Sequence, residues 1–334
     1  MPHSSGRFRV LFLTGLAVAA LLFAAFTLMV RTRPISNMVD LVLAVGSPYT
    51  ALATLAVLAL AALRRRILLS IAALFLVTAS LAVQVSWYYL ARPPDISHHA
   101  EIRILSSNLF KGQADAVSLV GFAQRSADVI TVAELTSEAV SRFSQAGIDE
   151  TFPYSHLMPK PGAGGIGMWS RYPLTVMSAP RHSRVTMPAA RLQVPGVRFD
   201  PLLASVHIMS PVAGDTNTVA DWRQGMAGAK EQLNFFARAA GPAAVIIGGD
   251  YNSTPDLRQF RDLLTNGYHD AVEQTGAGFA PTYPSDTWHP PIIVIDHVLT
   301  RNAAAASIRT LDIPGSDHRA LLATIEVPLD PTAS

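Results

Sequence analysis

The sequence predicts a three-helix membrane anchor followed by an α/β domain with a two-sheet core and helices outside. Three observations carry this. Apolar stretches of membrane-spanning length all fall within the first hundred residues, and short β-rich runs alternating with helical patterns fill the rest. Polar and ionisable residues of the second region gather at the ends of its β-rich runs. A chain of 334 residues has room for both parts, and half of its residues are hydrophobic.

The anchor comes first. Residues 10–30, 41–63 and 67–90 carry no charge, and each matches the roughly 20 residues needed to cross a ~30 Å hydrocarbon core. A cleaved signal peptide has an apolar region of about 7–15 residues, shorter than the first stretch. Arginines give the orientation: Arg7, Arg9, Arg64, Arg65 and Arg66 flank one side, against Arg31, Arg33 and Arg92 on the other. The positive-inside bias puts the N-terminus in the cytoplasm and everything after Arg92 outside it, with Trp87, Tyr88 and Tyr89 as an interfacial belt. The chain contains no cysteine, which excludes thiolate metal sites and is compatible with either compartment.

Charge divides along the same line. Residues 1–100 hold eight Arg and two Asp, a net +6, so the whole-chain +2 leaves −4 for residues 101–334. The basic character belongs to the anchor. A domain at −4 lacks the excess of positive charge that supplies most non-specific nucleic-acid affinity.

The expected organisation is an anchor over 1–91, a proline-bearing linker over 92–100 and an α/β domain over 101–330. In the domain the β-rich runs are 102–110, 128–135, 164–170, 202–208, 244–251 and 292–300, and helical patterns occupy 117–126, 218–240 and 257–267. Continuous apolar strands without clean alternation point to sheets covered on both faces. No internal repeat or low-complexity tract interrupts them, and the proline-rich 279–291 reads as a loop.

The chemistry lies where these runs end: Asn108, Glu134, His207, Asp250 with Asn252, and Asp296 with His297. Asp317 and His318 stand just ahead of a last apolar run. One such residue is an ordinary turn former; six such ends converge on one face. Carboxylates and an Asn carbonyl are hard oxygen donors suited to Mg²⁺ or Mn²⁺, which keep waters and substrate phosphate oxygens in their shell. Histidines and further carboxylates supply a base for water and a partner for the phosphoryl group. Metal-assisted hydrolysis of a phosphate ester uses all of them.

The segments SSNLF, VITVAELT, GIGMWSRYPL, SVHIMSP, IIGGDYNSTPD, VIDHVLT and GSDHRAL, in this order, resemble the successive motifs of the endonuclease/exonuclease/phosphatase superfamily, the DNase I-like fold. That resemblance implies a four-layered α/β sandwich. It implies that Asn108 and Glu134 help hold a divalent metal with Asp317 near it, and that Asp250 orients or deprotonates the attacking water. Asn252 would contact the phosphate. His318, oriented by Asp296, would stabilise the pentacovalent phosphate or its leaving side, and His207 would assist the leaving group. Arg191 is a weaker candidate for a phosphate contact. Tyr251 stands where the motif usually has Phe, and Phe110 stands where some members have an Asp, so one metal is expected rather than two.

Each residue has a structural alternative: a turn or cap for Asn108, a helix N-terminal acid for Glu134, a satisfied core histidine for His207, an ion-pair partner for Asp296. His98, His99, His156, His182, His269, His289 and His297 are read as structural, although His289 could touch substrate; Trp222 and Arg223 are read as helix packing. The expected function is a membrane-anchored, Mg²⁺-dependent phosphoesterase acting on a lipid head group, an envelope phosphodiester or nucleic acid. No protein partner is implied. The alternatives are an extracytoplasmic nuclease of the same fold and a non-catalytic binding protein on it.

Overall fold

The computed structural model describes residues 3–178, 185–213 and 218–333, with side chains from Phe8 onward; His182 lies outside the described residues. Two compact units emerge, Met1–Trp87 with Asp256–Arg258, and Tyr88–Pro255 with Gln259–Ser334.

The first unit is helical: α1 (His3–Arg31), α2 (Met38–Val45), α3 (Thr50–Leu63) and α4 (Ile67–Tyr88), with a 3₁₀ turn at Ser47–Tyr49. Phe8–Arg31 and Ile67–Tyr88 are each long and apolar enough to cross a membrane. The expected second span differs from the sequence reading. Met38–Val45 and Ser47–Leu63 are bent by 46° at a break, so the middle stretch is one straight helix only up to Val45. Pro48 explains the break: it has no N–H to donate and its ring collides with the carbonyl four residues back. Upstream, Asn37 starts α2 by accepting from the Asp40 N–H at 3.0 Å. Leu21, Val57 and Ala73 pack into a small core, while Phe23, Leu52, Leu68 and Phe75 remain exposed and apolar.

The second unit follows in chain order: β1 (His99–Asn108), α5 (Ala116–Ser126), β2 (Val129–Ala133), α6 (Ser137–Gln145), α7 (Ile148–Thr151), β3 (Tyr154–Met158), β4 (Ile166–Ser170), β5 (Leu174–Val176), β6 (Ala189–Leu192), β7 (Leu202–His207), α8 (Thr218–Ala240), β8 (Val245–Asp250), α9 (Arg258–Leu263), β9 (Tyr268–Asp270), α10 (Ala271–Thr275), β10 (Asp296–Arg301), β11 (Ala304–Leu311) and β12 (Ala320–Pro328). One sheet has the order β11-β12-β1-β2-β4-β3 and the other β5-β6-β7-β8-β10-β9. The two central pairs, β1 with β2 and β7 with β8, are parallel. In β2 and β8 every residue is buried, as strands covered on both sides must be.

The sheets pack face to face. A Cβ on Gly248 of β8 would stand 2.5 Å from Thr131 Oγ1 and 3.0 Å from Ile104 Cδ1, so only glycine allows this approach. Ser205 Oγ crosses the same gap to the Val132 carbonyl at 3.2 Å. Over the outer face of the first sheet, Leu119, Ala123, Phe143 and Phe152 of the α5–α7 region close on Ile130, Val132 and Trp169. Helix α8 buries Trp222, Met226, Leu233 and Phe236 on the other side. The result is an α/β sandwich with two sheets between helical layers.

Candidate active site

Six strand ends bring the predicted residues together. Asp250 closes β8, His207 closes β7 beside it in parallel register, and Asp296 pairs with Asp250 across the antiparallel β8–β10 ladder. Asn108 ends β1, and Glu134 follows β2 directly. Asp317 and His318 precede β12. Asp296 is the first residue of its strand, not the last as the sequence suggested. Pro290 and Pro291 cannot donate to a ladder, and Thr282 Oγ1 takes the N–H groups of Ile295 and Asp296 at 3.3 and 3.4 Å, so regular pairing starts only there.

Asn108 is a strut between carboxylates. Its Nδ2 donates to Asp250 Oδ2 at 3.0 Å and to Glu134 Oε1 at 3.3 Å, and its Oδ1 accepts from the Phe110 N–H at 2.9 Å. Glu134 sits at φ 58, a strained left-handed conformation for a glutamate, and Lys111 N–H fixes its Oε2 at 2.7 Å. Asn252 is left-handed as well, at φ 45. Its backbone N–H reaches Asp250 Oδ1 at 2.7 Å, while its Nδ2 donates to Asp250 Oδ2 at 3.0 Å and to the Ile208 carbonyl at 2.8 Å. Asp250 is thus held by three side-chain and backbone donors. Gly249 makes the bend before it possible, with φ 155 and a site where a Cβ would lie 2.0 Å from the Val206 carbonyl.

Histidines cover the open side. His318 Nδ1 meets Asp296 Oδ2 at 2.8 Å, which leaves Nε2 3.9 Å from both Asp250 Oδ2 and Asp317 Oδ1. His207 Nε2 lies 3.7 Å from Asp250 Oδ2 and 3.8 Å from Glu134 Oε1. Burial, reinforced by Asp296, pushes the Asp250 carboxyl up to about 6 against the opposing pull of His318, His207 and the Asn252 N–H. Burial alone would lower His318, but the carboxylates of Asp296 and Asp250 outweigh it and raise the imidazolium to about 10. Asp317 is raised too, by burial and by Glu134 and Asp286 working against His318.

The donor set fits a divalent cation. Four carboxylates share this space, and Oδ1 of Asp317 is buried with no hydrogen-bond partner among the described residues. Ligand atoms of Asp250, Asp296 and His318 also lie within 4.8 Å of one another. The hydrogen bond between Asp296 and His318 accounts for part of that closeness, which is equally the spacing of a carboxylate–imidazole relay. A cavity of about 310 Å³ bordered by Phe110, Ser285, Asp286 and Ser316 adjoins the cluster.

Arg191 is not brought to the site. It pairs with Leu202 at the start of β7, whereas His207 is that strand's last residue, five positions or about 17 Å away at roughly 3.3 Å per residue. Its guanidinium donates to the carbonyls of Asp200 at 3.3 Å and Ala239 at 2.5 Å, capping the end of α8. His289 forms hydrogen bonds only with its neighbours Thr287 and Pro290 among the described residues.

Other residues entered the site without being singled out from sequence. Ser316 Oγ donates to the Asn108 carbonyl at 2.8 Å and accepts from the His318 N–H at 3.1 Å, stitching the last loop to β1. The Tyr283 ring lies 4.9 Å from that of His318, and the Ser285 N–H holds the Asp317 carbonyl at 2.8 Å. Ser316 adjoins Asp317 and His318 in the chain, a signal that was available; Tyr283 sits in a proline-rich loop that offered none.

A two-sheet sandwich whose buried carboxylates and histidines meet at the strand ends is the framework of a phosphate-ester hydrolase. The chain belongs to the Endonuclease/Exonuclease/phosphatase family, whose family model matches residues 105–318. No curated protein sequence matches it. Among solved structures, an endonuclease/exonuclease/phosphatase from Bacteroides vulgatus superposes with a TM-score of 0.54 at 13% identity, over 68% of this chain and 99% of that one. A 3′ phosphatase from Neisseria bound to product DNA hairpin gives 0.54 at 16% identity, over 66% and 98%. A humanized TDP2 of D. rerio gives 0.52 at 17% identity, over 67% and 98%. At these identities the structural likeness speaks for the fold.

Proposed function

We propose that the protein is a membrane-anchored, divalent-metal-dependent phosphoesterase whose catalytic domain lies outside the cytoplasm. The observation that carries the reaction is Asp250: a buried carboxylate aimed by Asn108 and Asn252, with its proton affinity raised toward neutrality. In this reading Asp250 takes the proton of the water that attacks phosphorus. His318, kept protonated and oriented by Asp296, hydrogen-bonds the phosphoryl oxygen or the departing oxygen. His207, facing both Glu134 and Asp250, assists the leaving group, and Asn252 holds Asp250 while flanking the phosphate.

Glu134 and Asp317 are the residues proposed to hold Mg²⁺ or Mn²⁺, with Asn108 bridging Glu134 to Asp250. When bound, the cation neutralises the crowded carboxylates and the charge that builds on the phosphoryl oxygens. Phe110 in place of an acid supports one ion rather than two. The cavity beside the cluster is proposed to take the part of the substrate beyond the scissile phosphate. Asp286 on its wall and the −4 charge of residues 101–334 favour a lipid head group or envelope phosphodiester over a nucleic-acid polyanion.

The domain assignment and topology rest on three crossings, the two long apolar helices and the bent pair between them taken as one span, together with the arginine bias. The full chain, purified in detergent, is expected to hydrolyse bis(4-nitrophenyl) phosphate or phospholipid esters with Mg²⁺ and to stop on chelation. Nicking of plasmid DNA that weakens steeply with salt would favour the nuclease instead, and no turnover of any ester would favour a binding protein.

A further inference from the structure

We propose that His297, which touches neither the cavity nor the cluster, is a positioning residue that holds Asn252 and hence Asp250 in working geometry; this rests on the hydrolase reading above. Asn252 and its neighbours are the starting point. Asn252 stands in the left-handed region at φ 45, which asparagine can adopt but where the common right-handed region competes, so its surroundings select the conformation. On the site side, Asn252 is enforced by Asp250 and the Ile208 carbonyl. On the core side, the carbonyl of the next residue, Ser253, is held by His297.

His297 Nε2 lies 2.9 Å from the Ser253 carbonyl oxygen. A carbonyl can only accept, so Nε2 supplies the hydrogen. Nδ1 faces Asp270 Oδ2 at 2.5 Å, and Asp270 is itself fixed as the N-cap of α10 through the Val272 N–H at 2.7 Å. The imidazole stacks on Phe260, with ring centres 4.1 Å apart at 34°, and meets Tyr251 edge-on at 5.7 Å. Ser253 Oγ completes the clamp, accepting from Trp222 Nε1 at 3.0 Å and donating to the Tyr251 carbonyl at 2.8 Å. His297, Asp270, Ser253 and Trp222 are all essentially inaccessible to solvent.

Freed from His297, the Ser253 peptide can turn and Asn252 can relax to the common right-handed region. Its backbone N–H and amide would then leave Asp250, which loses two of its donors. The chemistry would suffer although no group touching substrate had changed.

The test uses the full-length protein in detergent with Mg²⁺ and bis(4-nitrophenyl) phosphate, rates being normalised to folded protein by circular dichroism. His297→Phe keeps a ring against Phe260 and removes both ring nitrogens; it is expected to lower kcat by about 30-fold with KM within about twofold. His297→Gln, whose amide reaches as far as Nε2, is expected to recover most of that loss. His297→Asn reaches only as far as Nδ1 and is expected to match the Phe variant, a pair that serves even if the Phe variant does not fold. A merely structural role would lower thermal stability in all three and leave kcat per folded molecule within twofold of wild type, which would overturn the proposal. If wild type hydrolyses no ester, the hydrolase reading fails separately, and a crystal structure of His297→Asn still decides this one. Asn252 turned off Asp250 supports it, and Asn252 left-handed on Asp250 contradicts it.

Discussion

Adjacent residues of β10 point to opposite sides of their sheet, and each belongs to a carboxylate–imidazole pair. On the site side Asp296 holds His318 Nδ1 at 2.8 Å, and the remaining ring nitrogen stands 3.9 Å from Asp250 and Asp317. On the core side Asp270 holds His297 Nδ1 at 2.5 Å, and the remaining nitrogen is consumed by a backbone carbonyl at 2.9 Å. The pairs share residue types and burial. What separates them is where the second nitrogen goes: toward carboxylates that a substrate can join, or into a closed hydrogen bond. A buried Asp–His pair is therefore no signature of catalysis until the free nitrogen is located.

The comparison can be broken most severely from the site side. Glu134→Gln removes a carboxylate from the proposed metal position and is expected to lower kcat/KM by about 10³-fold at fixed Mg²⁺. A titration with Mg²⁺ should show weakened activation, and an unchanged activation curve would remove Glu134 from the ion. Asp296→Asn is expected to have a smaller effect, of about 30-fold, with a diagnostic pH dependence. Asp250 must be ionised and His318 protonated, so metal-free values place the activity window between about 6 and about 10. Activity falls as pH drops through the lower value and as it rises through the upper. Asp296 is the largest influence raising His318, so its neutralisation should move the alkaline limb to lower pH; a limb that stays put would refute the relay. Smallest of all is Arg191→Met at the far end of β6. It should cost about 1–2 kcal/mol of stability through the lost α8 cap, measured by denaturant unfolding, and leave kcat unchanged.

The same contrast marks what could be read in the sequence. Helix α8 runs over Thr218–Ala240, the bounds given by its periodicity, and the runs ending at Asn108, His207 and Asp250 are strands that do end there. Periodicity and strand-end polarity are local signals. Edge strands were missed because they are short and half exposed: β5 spans three residues, and β3 has no buried position. The start of β10 depended on Thr282, fourteen residues before Asp296. The second apolar stretch looked uniform by hydropathy, but Pro48 breaks it through a missing donor rather than through polarity. Arg191 was misplaced because a strand's sequence does not tell which of its ends faces the site. The roles of Asn108 and His297 needed partners that only folding brings near, Asp250 at 142 positions and Ser253 at 44.

Central to the account is that Asp250 activates the water. Turnover of bis(4-nitrophenyl) phosphate by Asp250→Asn, compared with wild type at saturating Mg²⁺ and equal folded concentration, tests it most directly. A fall in kcat of about 10³-fold, with little change in KM, is the expected result. Turnover within a few-fold of wild type would contradict it and assign the base to another residue.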